Sequence, residues 1–103
     1  MKENTLTQIC KIFGNATRYK LAILLANEAH TFGSLLKNLS VNPKVLNDHL
    51  TTLISNNIIK KSYPYNVYIL TQEGRLVINL IINLQNELEK IEELIRGKKE
   101  ADS

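Results

Sequence analysis

Apolar residues follow a helical interval through position 56, gather into short extended runs between 58 and 70, and return to the helical interval beyond 76. Leu6, Ile9, Cys10 and Phe13, three and four residues apart, predict an amphipathic first helix that Gly14 ends. That spacing puts Cys10 on the buried face as a small hydrophobe. Asn15 caps a second helix from Ala16 to about Ala26, rich in good helix formers, with Leu21, Leu24 and Leu25 on its inner side. Thr31 is the expected N-cap of a short third helix, Phe32 to about Leu39, and Ser40-Val41 forms a tight connection. Asn42-Pro43 marks the start of a fourth helix, because asparagine caps well and proline suits the first helical position. This helix is predicted to reach about Asn56, with Asn57 tolerating the left-handed conformation beyond it.

The period then shortens. Ile58 to Tyr63 reads as a strand and Val67 to Leu70 as its return, with Pro64-Tyr65-Asn66 at the turn. Thr71 caps a last, long helix to about Arg96, and Glu73 suits the positive end of its dipole. Gly97 and the charged stretch Lys98 to Ser103 are expected to fray. No linker and no internal repeat interrupts this order. It predicts a mainly α fold with a small β-hairpin wing, a winged helix-turn-helix over residues 1–75, followed over residues 76–103 by a long C-terminal helix with a frayed end.

The last helix carries its own pattern. Val77, Ile81, Leu84, Leu88, Ile91 and Ile95 are spaced four, three, four, three and four, the a/d seam of a coiled coil, and Leu80 and Leu94 widen it. About 26 residues at 1.5 Å each give roughly 40 Å, more than the preceding domain covers. The expected role is homodimerisation. The alternative is packing on the helix's own domain, which Val77, Leu80 and Ile81 could do in part while the outer seam pairs.

In a helix-turn-helix the second helix buries one side and offers polar groups on the other. Here Leu46, Leu50 and Leu53 form the buried stripe, flanked by Val45 and Ile54, while Lys44, Asn47, Asp48, Thr51 and Ser55 project away from it. Lys44, Asn47 and Thr51 are the candidates for the major groove of double-stranded DNA, where lysine donates to guanine, asparagine pairs with adenine and threonine meets a phosphate or a thymine methyl. The competing reading is an ordinary solvated helix face. Asp48 repels phosphate unless it accepts from cytosine, and His49 sits nearer the buried edge as a packed or hydrogen-bonded residue. Lys60 and Lys61, with the tip residues Tyr65 and Asn66, give the hairpin the character of a basic wing along the phosphate backbone or minor groove. The alternative there is a surface hairpin with solvated lysines. Arg18, Lys20 and Lys37 are further candidates for phosphate.

Charge sharpens this picture. Residues 1–75 hold nine Lys/Arg against four Asp/Glu, a net of +5, and residues 76–103 hold four against six, a net of −2. A basic body with an acidic tail fits a DNA-facing domain joined to a segment that faces something else. Cys10 is the single cysteine of the 103 residues, and His30 and His49 lack ligand partners at metal spacing, so no metal site, cofactor or internal disulfide is expected. No apolar run approaches the length of a membrane span, and the start of the chain lacks a signal-peptide core, so a cytoplasmic, nucleoid-associated location is expected. No glycine-rich phosphate loop and no converging acid, base or nucleophile is readable. Asp48 and the adjacent His49 point in different directions on a helix, and Glu87, Glu89, Glu92 and Glu93 fit the outside of a coiled coil. An enzyme is not expected.

Residues 13–75 resemble the winged-helix transcription factors of the ArsR and HxlR types. The resemblance runs through Phe13-Gly14-Asn15-Ala16-Thr17-Arg18-Tyr19-Lys20-Leu21-Ala22-Ile23-Leu24, Thr31-Phe32-Gly33-Ser34-Leu35 and Asn42-Pro43-Lys44-Val45-Leu46-Asn47-Asp48-His49-Leu50, and ends at Tyr63-Pro64 and Tyr68-Ile69-Leu70-Thr71-Gln72-Glu73-Gly74. It implies dimeric, sequence-selective DNA binding, with Asn42, Lys44, Asn47 and Thr51 facing the major groove and a repressor-like role. The cysteine pair of the thiol-based metal sensors is absent, so that sensing chemistry is not implied, and no small-molecule effector is readable. In plan, a winged helix with a long pairing helix is also similar to some archaeal chromatin-associated proteins. Three functions therefore follow as expectations: a transcriptional regulator, a chromosome-organising protein with little sequence preference, or a winged-helix module for protein contact.

Overall fold

The computed structural model describes the backbone of residues 5–102 and the side chains of residues 5–98; the expectations for residues 1–4 and for Ser103 lie outside these residues. Seven elements follow in order: α1 (Thr5–Phe13), α2 (Ala16–Asn27), α3 (Phe32–Leu39), α4 (Pro43–Ser55), β1 (Ile59–Ser62), β2 (Val67–Leu70) and α5 (Gln72–Asp102).

Local chemistry sets most boundaries. Asn15, Thr31 and Asn42 stand in extended backbone, and each side chain accepts from the amide three residues on, of Arg18, Ser34 and Val45 respectively. Each thereby satisfies one of the amides that a helix start leaves open. The end of α4 is a Schellman turn: Asn57, at φ 59°, donates to the Ile54 carbonyl and Ile58 to that of Leu53. Ser40 ends α3 in the same left-handed region.

The core gathers one face of each element. Leu21, Leu35, Leu46, Leu50, Leu53, Ile59 and Ile78 are the largest fully buried side chains. The hairpin is antiparallel, with Ile59 opposite Leu70 and Lys61 opposite Tyr68. His30 adds an isolated bridge to Tyr68, so the segment before α3 lies along the wing's second strand. The His30 ring is buried, with Nδ1 at 2.8 Å from Ser34 Oγ and Nε2 at 3.8 Å from Glu28.

Two expectations need correction. Cys10 is exposed. On α1 it is Ile12 that enters the core, and the stripe of Leu6, Ile9, Cys10 and Phe13 turns towards α5 instead. The last helix also does not end at Arg96: it continues through Gly97 to Asp102. Glycine costs a helix interior only about 0.5–1 kcal/mol relative to alanine, and the lysine, glutamate and alanine beyond it are good helix formers.

The start of α5 is built on one close approach. Thr71 donates its hydroxyl to the Asn57 carbonyl at 2.6 Å and accepts from the Gly74 amide at 2.8 Å. A Cβ at position 74 would stand 1.9 Å from the Ile58 carbonyl oxygen, whereas at Gly97 it would meet nothing within 4 Å among the described residues. The same substitution therefore has opposite signs at two places on one helix. Gly74→Ala is expected to lower stability by about 1–3 kcal/mol or more through overpacking against backbone. Gly97→Ala is expected to raise it by about 0.5–1 kcal/mol. Denaturant midpoints of the two variants, measured side by side, check both.

Candidate DNA interface

α3, the Ser40-Val41 turn and α4 form the helix-turn-helix, and the three buried leucines of α4 decide which way its polar side faces. Leu46, Leu50 and Leu53 anchor the inner stripe, so Lys44, Asn47, Asp48, Thr51 and Ser55 stand exposed in a row along the outer one. Asn42 lies at the start of this row. Its Oδ1 accepts from the Val45 amide at 2.9 Å, and the residue is exposed. Lys44, Asn47 and Thr51 stand on the helix's first three turns, and their side chains are exposed.

The wing stands beside this helix through β1, which packs on α4. Lys60 is exposed, and Tyr63 and Tyr65 at the tip are among the most exposed large side chains. Asn66, at φ 52°, makes the left-handed step that returns the chain. Lys61 is held differently from Lys60: its Nζ lies 5.8 Å from the Tyr63 ring centroid and 5.7 Å from that of Tyr68, which fixes the ammonium at the base of the tip by cation–π attraction.

Arg18 is not an outward-facing cation. Its Nε donates to the Ile12 carbonyl at 2.7 Å, one terminal nitrogen donates to the Lys11 carbonyl at 3.2 Å, and the other lies 3.3 Å from His49 Nδ1. Sequence reasoning read a basic residue at a helix start as a phosphate contact, whereas the side chain folds back between α1 and α4. Lys20 and Lys37 remain exposed. His49 is half-buried, and burial first and Arg18 second hold its pKa below the ordinary histidine value, with Asp48 opposing them.

The seam of α5 divides in two. Val77 and Ile81 are half-buried against the domain's core, while Leu84, Leu88, Ile91 and Ile95 remain 51–53% exposed. Leu80 and Leu94 are more exposed still. Beside the inner part, α1 and α5 enclose an apolar groove of about 570 Å³ walled by Leu6, Ile9, Cys10 and Phe13 on one side and by Leu80 and Leu84 on the other. Sequence reasoning missed this groove, because the stripe on α1 was assigned to the core. Among the described residues no helix is long and apolar enough to cross a membrane.

No protein-family model matches the sequence, and no curated protein matches it either. Solved structures do resemble the fold. A protein of Enterococcus faecalis assigned to the MarR family of transcriptional regulators superposes with a TM-score of 0.79 over 93% of this chain and 96% of its own, at 18% identity. The quinone-bound YodB of Bacillus subtilis gives 0.76 over 85% and 98%, at 16% identity. The transcriptional repressor BigR of Xylella fastidiosa gives 0.69 over 82% and 86%, at 17% identity. At these identities the likeness is one of fold: five helices and a two-stranded wing in the winged-helix arrangement, with a long C-terminal helix.

Proposed function

We propose that the protein is a homodimeric, double-stranded DNA-binding transcriptional regulator of the repressor type. The observation that carries this reading is the exposed row Lys44, Asn47 and Thr51 on the helix after the tight turn, with the Lys60, Lys61, Tyr65 and Asn66 wing beside it. Side chains at that end of a helix-turn-helix reach base edges in the major groove, while a basic hairpin follows the backbone. The regulators and repressors among the structures of like fold support the same direction. Dimerisation is supported by the half-exposed outer seam of α5, apolar surface that water disfavours and a second copy would cover. A twofold pair would set the two reading helices about 34 Å apart, one turn of the duplex. The resemblance to the ArsR and HxlR types agrees with this reading, and the absence of a cysteine pair separates the chain from their thiol-based metal sensors.

The test is binding to a random-sequence duplex pool over a salt series, with sequencing of the bound fraction. If a dimer neutralises about 6–8 phosphates, log K falls against log salt with a slope near −5 to −7. That slope with an enriched twofold-symmetric site is the expected outcome. The slope without a motif would instead make the protein a chromosome-organising one, and no binding at low salt would make α4 a protein-contact surface.

A further inference from the structure

α1 is tied to the reading helix at two points. Gln8 donates through Nε2 to Asn56 Oδ1 at 3.3 Å, and Arg18 links the last turn of α1, through the Ile12 and Lys11 carbonyls, to His49 on α4. These carbonyls form the negative end of α1, where a guanidinium is well placed. The same helix walls the apolar groove with Leu6, Ile9, Cys10 and Phe13. The contact that joins α1 to α4 thus lies one residue from Asp48 and two from Asn47.

The Arg18–His49 contact depends on a proton. The guanidinium only donates and keeps its charge, so His49 must accept at Nδ1, with its own proton on Nε2. We propose that Arg18 and His49 are positioning residues that hold the reading helix in register with the groove-lining helix, and that a proton taken up by His49 releases this hold. A second proton would place an imidazolium against a guanidinium 3.3 Å away and remove the acceptor. The charged groups acting on the ring are Arg18 from α2 and Asp48 from α4, and from α1 Lys11 offers its carbonyl to the same guanidinium. Burial and Arg18 lower the His49 pKa from 6.5. The unfolded chain therefore binds the proton more readily than the folded one. The stabilisation is complete above 6.5 and is lost as pH falls through the window beneath it.

This proposal rests on the DNA-binding reading, and its test separates the two. The ratio of affinity for the selected site to that for random duplex is measured from pH 7.5 to 5.0. The ratio is expected to fall about 5–10-fold in the wild type. His49→Asn puts an amide oxygen near the place of Nδ1 and does not titrate, so it is expected to keep the ratio at pH 7.5 and flatten the profile. Arg18→Lys retains the charge but not the three-way donation, and is expected to lose the preference already at pH 7.5. Without DNA, the imidazole titration followed by NMR is expected to lie below 6.5 and to move upward in Arg18→Gln. A His49→Asn profile as steep as the wild type's, or a His49 that titrates at or above 6.5, would overturn the proposal. Should no DNA bind at any pH, the gating of DNA reading falls with the DNA-binding reading, and the NMR titration decides the Arg18–His49 contact by itself.

Discussion

Leu84→Glu combined with Leu88→Glu is expected to yield a folded monomer: sedimentation equilibrium should return the 11.7 kDa chain mass, against twice that for the proposed wild-type dimer. Both residues are about half exposed in the isolated chain, and neither packs against its core. The substitutions therefore leave the winged-helix domain's own packing intact, and far-UV circular dichroism is expected to be unchanged. In the proposed pair the same positions lie in the middle of the outer seam. Each leucine contributes about 1.5–3 kcal/mol on burial, and a dimer loses four of them while confronting four carboxylates with an apolar seam. Affinity for a two-half-site duplex should fall with the dimer, by about 10²–10⁴-fold, because two linked reading helices bind as one unit and a monomer has one. A persistent dimer would move the interface away from both the outer seam and the α1–α5 groove, which Leu84 also walls.

The features that were legible in the sequence are those whose physics is local. Asn15, Thr31 and Asn42 cap helices because each accepts from an amide three residues on, and Asn57 tolerates its left-handed step by its own chemistry. The hairpin follows from two short runs and a turn between them, although its first strand is Ile59–Ser62, one residue shorter at each end than the run. What escaped depends on distant partners. Periodicity placed Leu6, Ile9, Cys10 and Phe13 on one face of α1, but it could not say that this face meets α5 while Ile12 meets the core. The need for glycine at 74 comes from the Ile58 carbonyl in the loop before the wing. Arg18 finds an acceptor 31 positions away, on another helix, so its charge alone pointed to phosphate. The outer row of α4 was legible for the opposite reason: Leu46, Leu50 and Leu53 set the inner stripe, and every residue of the row follows from it.

Lys44→Ala with Asn47→Ala is expected to remove sequence preference while leaving the fold and most of the electrostatic attraction in place. Both side chains are exposed, and neither belongs to the core or caps a helix, so the unfolding free energy should stay within about 0.5 kcal/mol of the wild type's. A base contact by lysine to guanine or asparagine to adenine discriminates by about 1–3 kcal/mol. A twofold dimer loses two of each, enough to bring the ratio of selected-site to random-duplex affinity close to one. The salt slope separates reading from mere attraction. The phosphate contacts proposed for Lys60, Lys61 and the remaining cations should persist, so loss of the ratio is expected to come with a slope reduced by no more than about one for each Lys44 that also touches phosphate. If the ratio survives the double substitution, the bases are read elsewhere. Asn42 and Thr51 of the same row, or the wing tip with Tyr65 and Asn66 exposed at the turn, then carry the specificity.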